Sequence, residues 1–143
     1  MAPASWGQAP VHQILVREPD MIRSIAACKA MGAGPLAHAD AAIVVAADTQ
    51  ASELWIEDAS VVSTYILLGA EELGVGACWI HIRNRAGQKK SASDEIRELM
   101  GIPERFEVLN VIALGDKGEQ KPPLSENDLK RNRLHSERFC LKE

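Results

Sequence analysis

From about Trp55 to Leu73 the sequence is apolar on every side of a helix-length segment, and this constrains the fold more than any other feature. Ile56, Ala59, Ser63, Ile66, Ala70 and Leu73 recur at steps of three and four, the spacing of one helical face. Glu57 and Asp58 fall in the first turn, where the helix dipole favours acids. Val62, Tyr65 and Leu68 make the opposite side apolar as well. A helix apolar all round has to be covered by a core or by another subunit. In a small domain this points to a homodimer, with the helix packed on its own core on one side and on a second copy on the other.

The chain has 143 residues, a length that fits one domain over 1–143 with a polar tail over 116–143. Val11 to Arg17 reads as a strand broken by Pro19, and Met21 to Met31 as a helix with Ile22, Ile25, Ala26 and Met31 on its apolar side. Ala41 to Ala47 is a continuous apolar run, as expected of a strand covered on both faces. Ala77 to Ile82 and Glu107 to Leu114 are two further strands, separated by a polar loop over Arg83 to Lys90 and a helix that Ser93 is placed to cap. Glu126 to Phe139 is a charged segment of weak helical character. Strands alternating with helices suggest, by rule, a parallel, doubly wound sheet.

Several function classes are disfavoured. A formal net charge of -4, with acids and bases mixed along the chain, gives no basic stripe for nucleic acid. No apolar run is long enough for a bilayer helix and no signal peptide opens the chain, so a cytoplasmic protein is expected. Cys28, Cys78 and Cys140 form no CxxC pair and are expected to be reduced thiols; His12, His38, His81 and His135 are equally scattered, so no metal site is indicated. No side-chain constellation for acid–base or nucleophilic catalysis stands out.

Gly74-Val75-Gly76 ends the long helix, and glycine there allows two uses: a helix cap, or main chain brought close to a ligand. The stretch Glu71 to Ile80, EELGVGACWI, resembles the "E-x-LGLGxxWI" segment of the FMN-dependent nitroreductase family. Ala2-Pro3-Ala4-Ser5 with Pro10 to Val16 is similar to that family's "APSxxNxQPWxFxVV" opening, and Ala39 to Val45 to its next strand. Trp55-Ile56-Glu57-Asp58 begins a helix like the family's central one, and Leu99 to Glu104, Val111 to Gly115 and Lys121-Pro122-Pro123 resemble its closing "LLGIPE…VIALGYP…KPP" run.

The resemblance implies an α+β fold of three-layer appearance, with a central mixed sheet flanked by helices and two subunits interlocked around two FMN molecules. It implies hydride delivery by NAD(P)H and reduction of a nitroaromatic, quinone or second flavin in the same cleft, with the flavin doing the chemistry and no catalytic side chain required. Carried over by position, Ser5 and Gln8 fall in the segment that reaches the flavin across the interface, and Cys78, Trp79, Ile80 and His81 where the chain passes its ring through main-chain groups. Trp79 and Ile80 are equally suited to strand packing. Lys121, Arg131 and Arg133 are placed to help with phosphate, or to form a solvated tail. In ungapped register Gly7 stands at the family's asparagine and Ala9 at its glutamine, whereas a one-residue shift gives Gln8 the asparagine role. The sequence starts after the family's Arg-rich "RRSxR" segment, so this chain is expected to hold flavin weakly. A second expectation, from a different class, is a non-enzymatic dimerising or ligand-binding domain on the same scaffold.

Overall fold

The computed structural model describes residues 2–119 and 121–139. Four strands, β1 (Val11–Val16), β2 (Ala41–Asp48), β3 (Gly76–His81) and β4 (Phe106–Gly115), are connected by three α-helices, α1 (Pro19–Ala27), α2 (Trp55–Glu72) and α3 (Ala92–Met100). Cys28 and Cys78 are free thiols. Cys140 lies outside the described residues.

The strands lie in the order β1-β2-β4-β3, and each neighbouring pair is antiparallel. The parallel, doubly wound arrangement is therefore corrected, for a topological reason. β2 and β3, joined through α2, do run the same way, since each is antiparallel to β4. β4 then returns through α3 and takes the place between them, so the two strands a βαβ unit would pair are kept apart. Among the described residues no parallel pair occurs. The class is α+β, with helices on both faces of one sheet.

β2 and β4 are central and buried on both faces, which is why both read as nearly unbroken apolar runs. Ala42, Val44 and Ala46 of β2 face a core completed by Ile22 and Ile25 of α1, Ile96 of α3 and Leu36 of the 3-10 turn Gly34–His38. Val45 and Ala47 face the opposite core, against Ala59, Ile66 and Leu67 of α2. A bulge interrupts the ladder where Val45 pairs with Asn110 but Ala46 pairs with Val108, leaving Leu109 over. The freed Leu109 carbonyl accepts hydrogen bonds from Ile82 N (3.0 Å) and Arg83 N (3.1 Å), and β3 stops there.

Element ends depart from expectation at three places. α1 stops at Ala27 rather than Met31, with the Cys28 N–H folding back on carbonyls of the last turn, and Met31 is 82% exposed instead of lining a core. α3 is capped by Ser91, whose Oγ accepts from Asp94 N at 3.1 Å. Ser93 is instead buried, donating to Glu107 at 2.7 Å and accepting from Val108 N at 3.0 Å. Among the described residues of the tail only the 3-10 turns Glu126–Asp128 and Arg131–Arg133 form, and Leu124, Leu129, Leu134 and Phe139 stand exposed.

α2 matches its expected extent to within one residue. It buries Ala59, Ser63 and Ala70 against the sheet, while Tyr65 is 51% and Leu68 64% exposed. Among the described residues nothing more than partly covers this second apolar side of the helix.

Candidate functional site

The two glycines after α2 serve different ends. Gly74, at φ 72, is the left-handed residue that closes the helix; its N–H bonds to Glu71 O (3.1 Å) and that of Val75 to Ala70 O (2.8 Å), a Schellman pattern. Gly76 opens β3 with main chain passing directly over it. A Cβ there would lie 2.7 Å from Asp116 O and 3.0 Å from Asp116 C. Gly115 is tight in the same way, its absent Cβ 3.2 Å from Asp40 Oδ2. These close approaches shape a cavity of about 610 Å³ between the start of β3, the end of β4 and the residues beyond it. Pro35, His38, Cys78, Leu114, Lys117 and Lys121 are among its lining residues.

The charges around the cavity are partly matched already. Lys117 Nζ sits 2.7 Å from Glu71 Oε1, while exposed Lys121 has only a 3.8 Å contact with Glu119, which solvent weakens. Lys121 is thus the more available cation for an anionic ligand. His38, Lys117 and Gly115 are wall residues that sequence reasoning missed; nothing in their spacing distinguishes them, because the fold brings the Gly34–His38 turn up against the end of β4.

The other sequence-predicted residues do not all converge there. Cys78 is exposed and lines the cavity, whereas Ile80 is buried in the core beneath α1 and α3, and Trp79 packs beside the α2-side core. β3 is an edge strand, so its outer side offers main-chain groups that β4 does not use. His81, at the far end of β3, is half-buried. Its pKa is lowered by burial, with Arg85, Lys29 and Arg83 adding to the effect against one backbone hydrogen bond, so the imidazole is neutral at pH 7. Arg131 and Arg133 lie on the exposed tail, Arg131 paired with Glu126.

Ser5 and Gln8 sit elsewhere. Ser5 donates from both N and Oγ to Asp58 Oδ1, each at 2.8 Å, and Asp58 is buried in the first turn of α2. The chain then passes through left-handed conformations at Trp6 (φ 53), Gly7 (φ 68) and Ala9 (φ 44), with Gln8 exposed among them. Asp58 and the cavity residue Glu71 are thirteen positions apart on one helix, roughly 20 Å at 1.5 Å per residue. In this chain the opening segment and the cavity are therefore at opposite ends of α2.

Asp58 was legible only as a first-turn acid, and its second role has a measurable consequence. Asp58→Ala should speed hydrogen exchange at the Ser5 amide by about tenfold or more, the scale of losing a charge-assisted acceptor. Unchanged exchange would show that other contacts hold the segment. Among the described residues no helix is long and apolar enough to cross a membrane, and no group of three or more potential metal ligands occurs.

Comparison with known proteins fits this architecture. The family model described as the nitroreductase family matches residues 2–116. A curated Archaeoglobus fulgidus protein, provisionally named an NADH dehydrogenase/NAD(P)H nitroreductase, is 33% identical over 97% of this chain and 80% of its own length. A solved FMN-dependent nitroreductase of Clostridium difficile R20291 superposes with a TM-score of 0.92 at 35% identity, covering 97% of this chain and 82% of that one. The NADPH:FMN oxidoreductase of Vibrio harveyi, at 20% identity and a TM-score of 0.74 over 99% of this chain and 65% of that one, shares the fold. With the family model matching residues 2–116 and a relative 33% identical over 80% of its own length, the chain belongs to the nitroreductase family of oxidoreductases.

Proposed function

We propose that the chain is an FMN-dependent oxidoreductase, working as a cytoplasmic homodimer, that takes two electrons from NAD(P)H and passes them to a nitroaromatic, a quinone or a second flavin. The observation that carries this reading is the cavity of about 610 Å³ built on Gly76 and Gly115, of a size suited to a cofactor. The residues fit such a group: Gly76 and Gly115 let the protein's own segments close up into the cavity wall, apolar walls come from Pro35 and Leu114, and Lys121 is available to a phosphate. Bound there, FMN would supply reversible two-electron transfer between donor and acceptor.

The protein's share is to hold and shield. Cys78 to His81 would contribute edge main chain rather than side chains, consistent with Ile80 lying in the core. Ser5 and Gln8 lie too far along α2 to reach their own subunit's cavity, which supports their service to the partner subunit's site. The uncovered Tyr65–Leu68 face of α2 supplies the contact between copies, and the exposed apolar residues of the tail, Leu124, Leu129, Leu134 and Phe139, supply a second one that would interlock them. Free thiols at Cys28 and Cys78 accord with a reducing compartment. Residues 1–143 would form one domain, with 116–143 as its tail.

Titrating FMN into the purified protein while following flavin fluorescence, then mixing with NADH or NADPH and a quinone, tests the proposal. Saturable quenching and donor oxidation are expected. A protein that neither quenches FMN nor oxidises either donor would overturn it.

A further inference from the structure

A second charged feature lies away from the cavity, at the His81 end of β3. Four cationic side chains and no carboxylate occur between Ile82 and Ser91, in a chain whose net charge is -4. The strand ends where Ile82 N and Arg83 N both bond to the Leu109 carbonyl, and a turn follows in which Arg85 N donates to Ile82 O at 3.0 Å and Asn84 takes φ 55. This loop is tied to the C-terminal end of α1 by Ala30 N donating to Ala86 O (3.0 Å) and Gln88 Nε2 to Ala27 O (3.1 Å). Lys29 is thereby brought to the same place as Arg83 and Arg85. The Arg83 guanidinium stands 5.8 Å over the Trp55 ring, which fixes its side chain without neutralising it.

Among the described residues none of Lys29, Arg83 and Arg85 pairs with a carboxylate, in contrast to Lys90, which pairs with Glu98, and Arg97, which pairs with Asp94. Burial, with these three cations adding to it, lowers the His81 pKa and so disfavours a fourth positive charge in the group. Lys29 Nζ donates to the Gly32 carbonyl at 3.4 Å, but no carboxylate neutralises any of the three cations, so an anion seated near them would relieve their mutual repulsion. Two planar guanidinium groups are suited to phosphate oxygens in particular.

We propose that Lys29, Arg83 and Arg85 form an anion subsite beside His81 that takes a phosphate group. The subsite stands on the loop geometry; assigning its ligand rests on the flavin and NAD(P)H reading above, since that reaction involves two phosphate-bearing molecules, FMN and the dinucleotide donor.

Calorimetry with inorganic pyrophosphate on the whole protein tests the subsite itself. Arg85→Gln is the primary variant, because Arg85 is exposed and its loss leaves the core untouched; Lys29→Gln combined with it is the second. Pyrophosphate affinity should fall about tenfold for each lost contact, the scale of one charge-assisted hydrogen bond. It should also weaken as salt is raised. Equal binding by wild type and both variants, or no binding by wild type, would overturn the proposal. Two further arms identify the source. If the variants lose affinity for FMN but not riboflavin, the flavin phosphate sits there; if they raise KM for NADPH or NADH at constant kcat, the donor does. Pyrophosphate bound through these residues in a protein that neither quenches FMN nor oxidises a donor would uphold the subsite while refuting the proposed reaction.

Discussion

Leu68→Asp is expected to convert the proposed homodimer to a monomer at micromolar concentration. Leu68 is 64% exposed on its own subunit, so the substitution leaves that subunit's core intact and its helical circular dichroism unchanged. In a two-fold dimer packed through this face, the new carboxylate is buried twice, once from each copy. At about 2–4 kcal/mol per copy, the dissociation constant rises by roughly three to six orders of magnitude. Flavin should be lost in parallel, because the Ser5 segment and the cavity lie at opposite ends of α2 and, in the proposed dimer, would meet only across two subunits. Sedimentation analysis of the variant beside Ser24→Asp, a control on the exposed side of α1, reads this directly. A dimeric Leu68→Asp protein with undiminished flavin affinity would place the interface elsewhere.

The second large effect is expected at Gly76. An alanine Cβ would be driven to 2.7 Å from the Asp116 carbonyl oxygen and 3.1 Å from that of Gly115. The obstructing atoms are backbone, so no side-chain rotation relieves the clash. Either β3 or the segment leading to Lys117 and Lys121 has to shift, at about 1–3 kcal/mol. Thermal melting should show a fall of several degrees for Gly76→Ala, and FMN titration a loss of at least about tenfold in affinity, as expected for displaced polar contacts. Gly118→Ala is the stability control, since nothing lies within 4 Å of its added methyl. Identical melting and FMN binding by Gly76→Ala and the parent would show that the close approach is not what shapes the cavity.

The sequence carried the elements well and their arrangement poorly, for reasons visible in particular residues. The Trp55–Glu72 helix and the Ala41–Asp48 strand declare themselves because each is repetitive over a long stretch and buried on more than one side. Antiparallel order was not legible from alternation, since nothing local tells β4 to lie between β2 and β3. Here the resemblance succeeded where the generic rule failed: it pointed to α+β. Ser91 and Ser93 both precede the acids of α3, and only the fold decides that one caps while the other is buried against Glu107 and Val108. Lys121 and Cys78, named from the resemblance, line the cavity, while the Ile80 side chain lies in the core and leaves only its main chain for a ligand; His38 and Lys117 enter the cavity wall from segments far apart in sequence. Asp58 was seen as a favourable helix-start charge, whereas its bonds to Ser5 span 53 positions and leave no local pattern.

The place of β4 between β2 and β3 also bears on how the chain is made. A ribosome releases β1, β2 and β3 before it releases β4, and during that interval β1 and β2 can pair as neighbours while β3 has no strand to join. The nascent chain carries α2 with nothing behind half of it, and the β2 edge later filled by Phe106–Gly115 stays open. Pairings this distant in sequence form slowly, and open apolar edges are where chains aggregate. Synthesis halted before about residue 106 should leave a product that chaperones retain, and release should come abruptly once the final strand has cleared the exit tunnel rather than by stages.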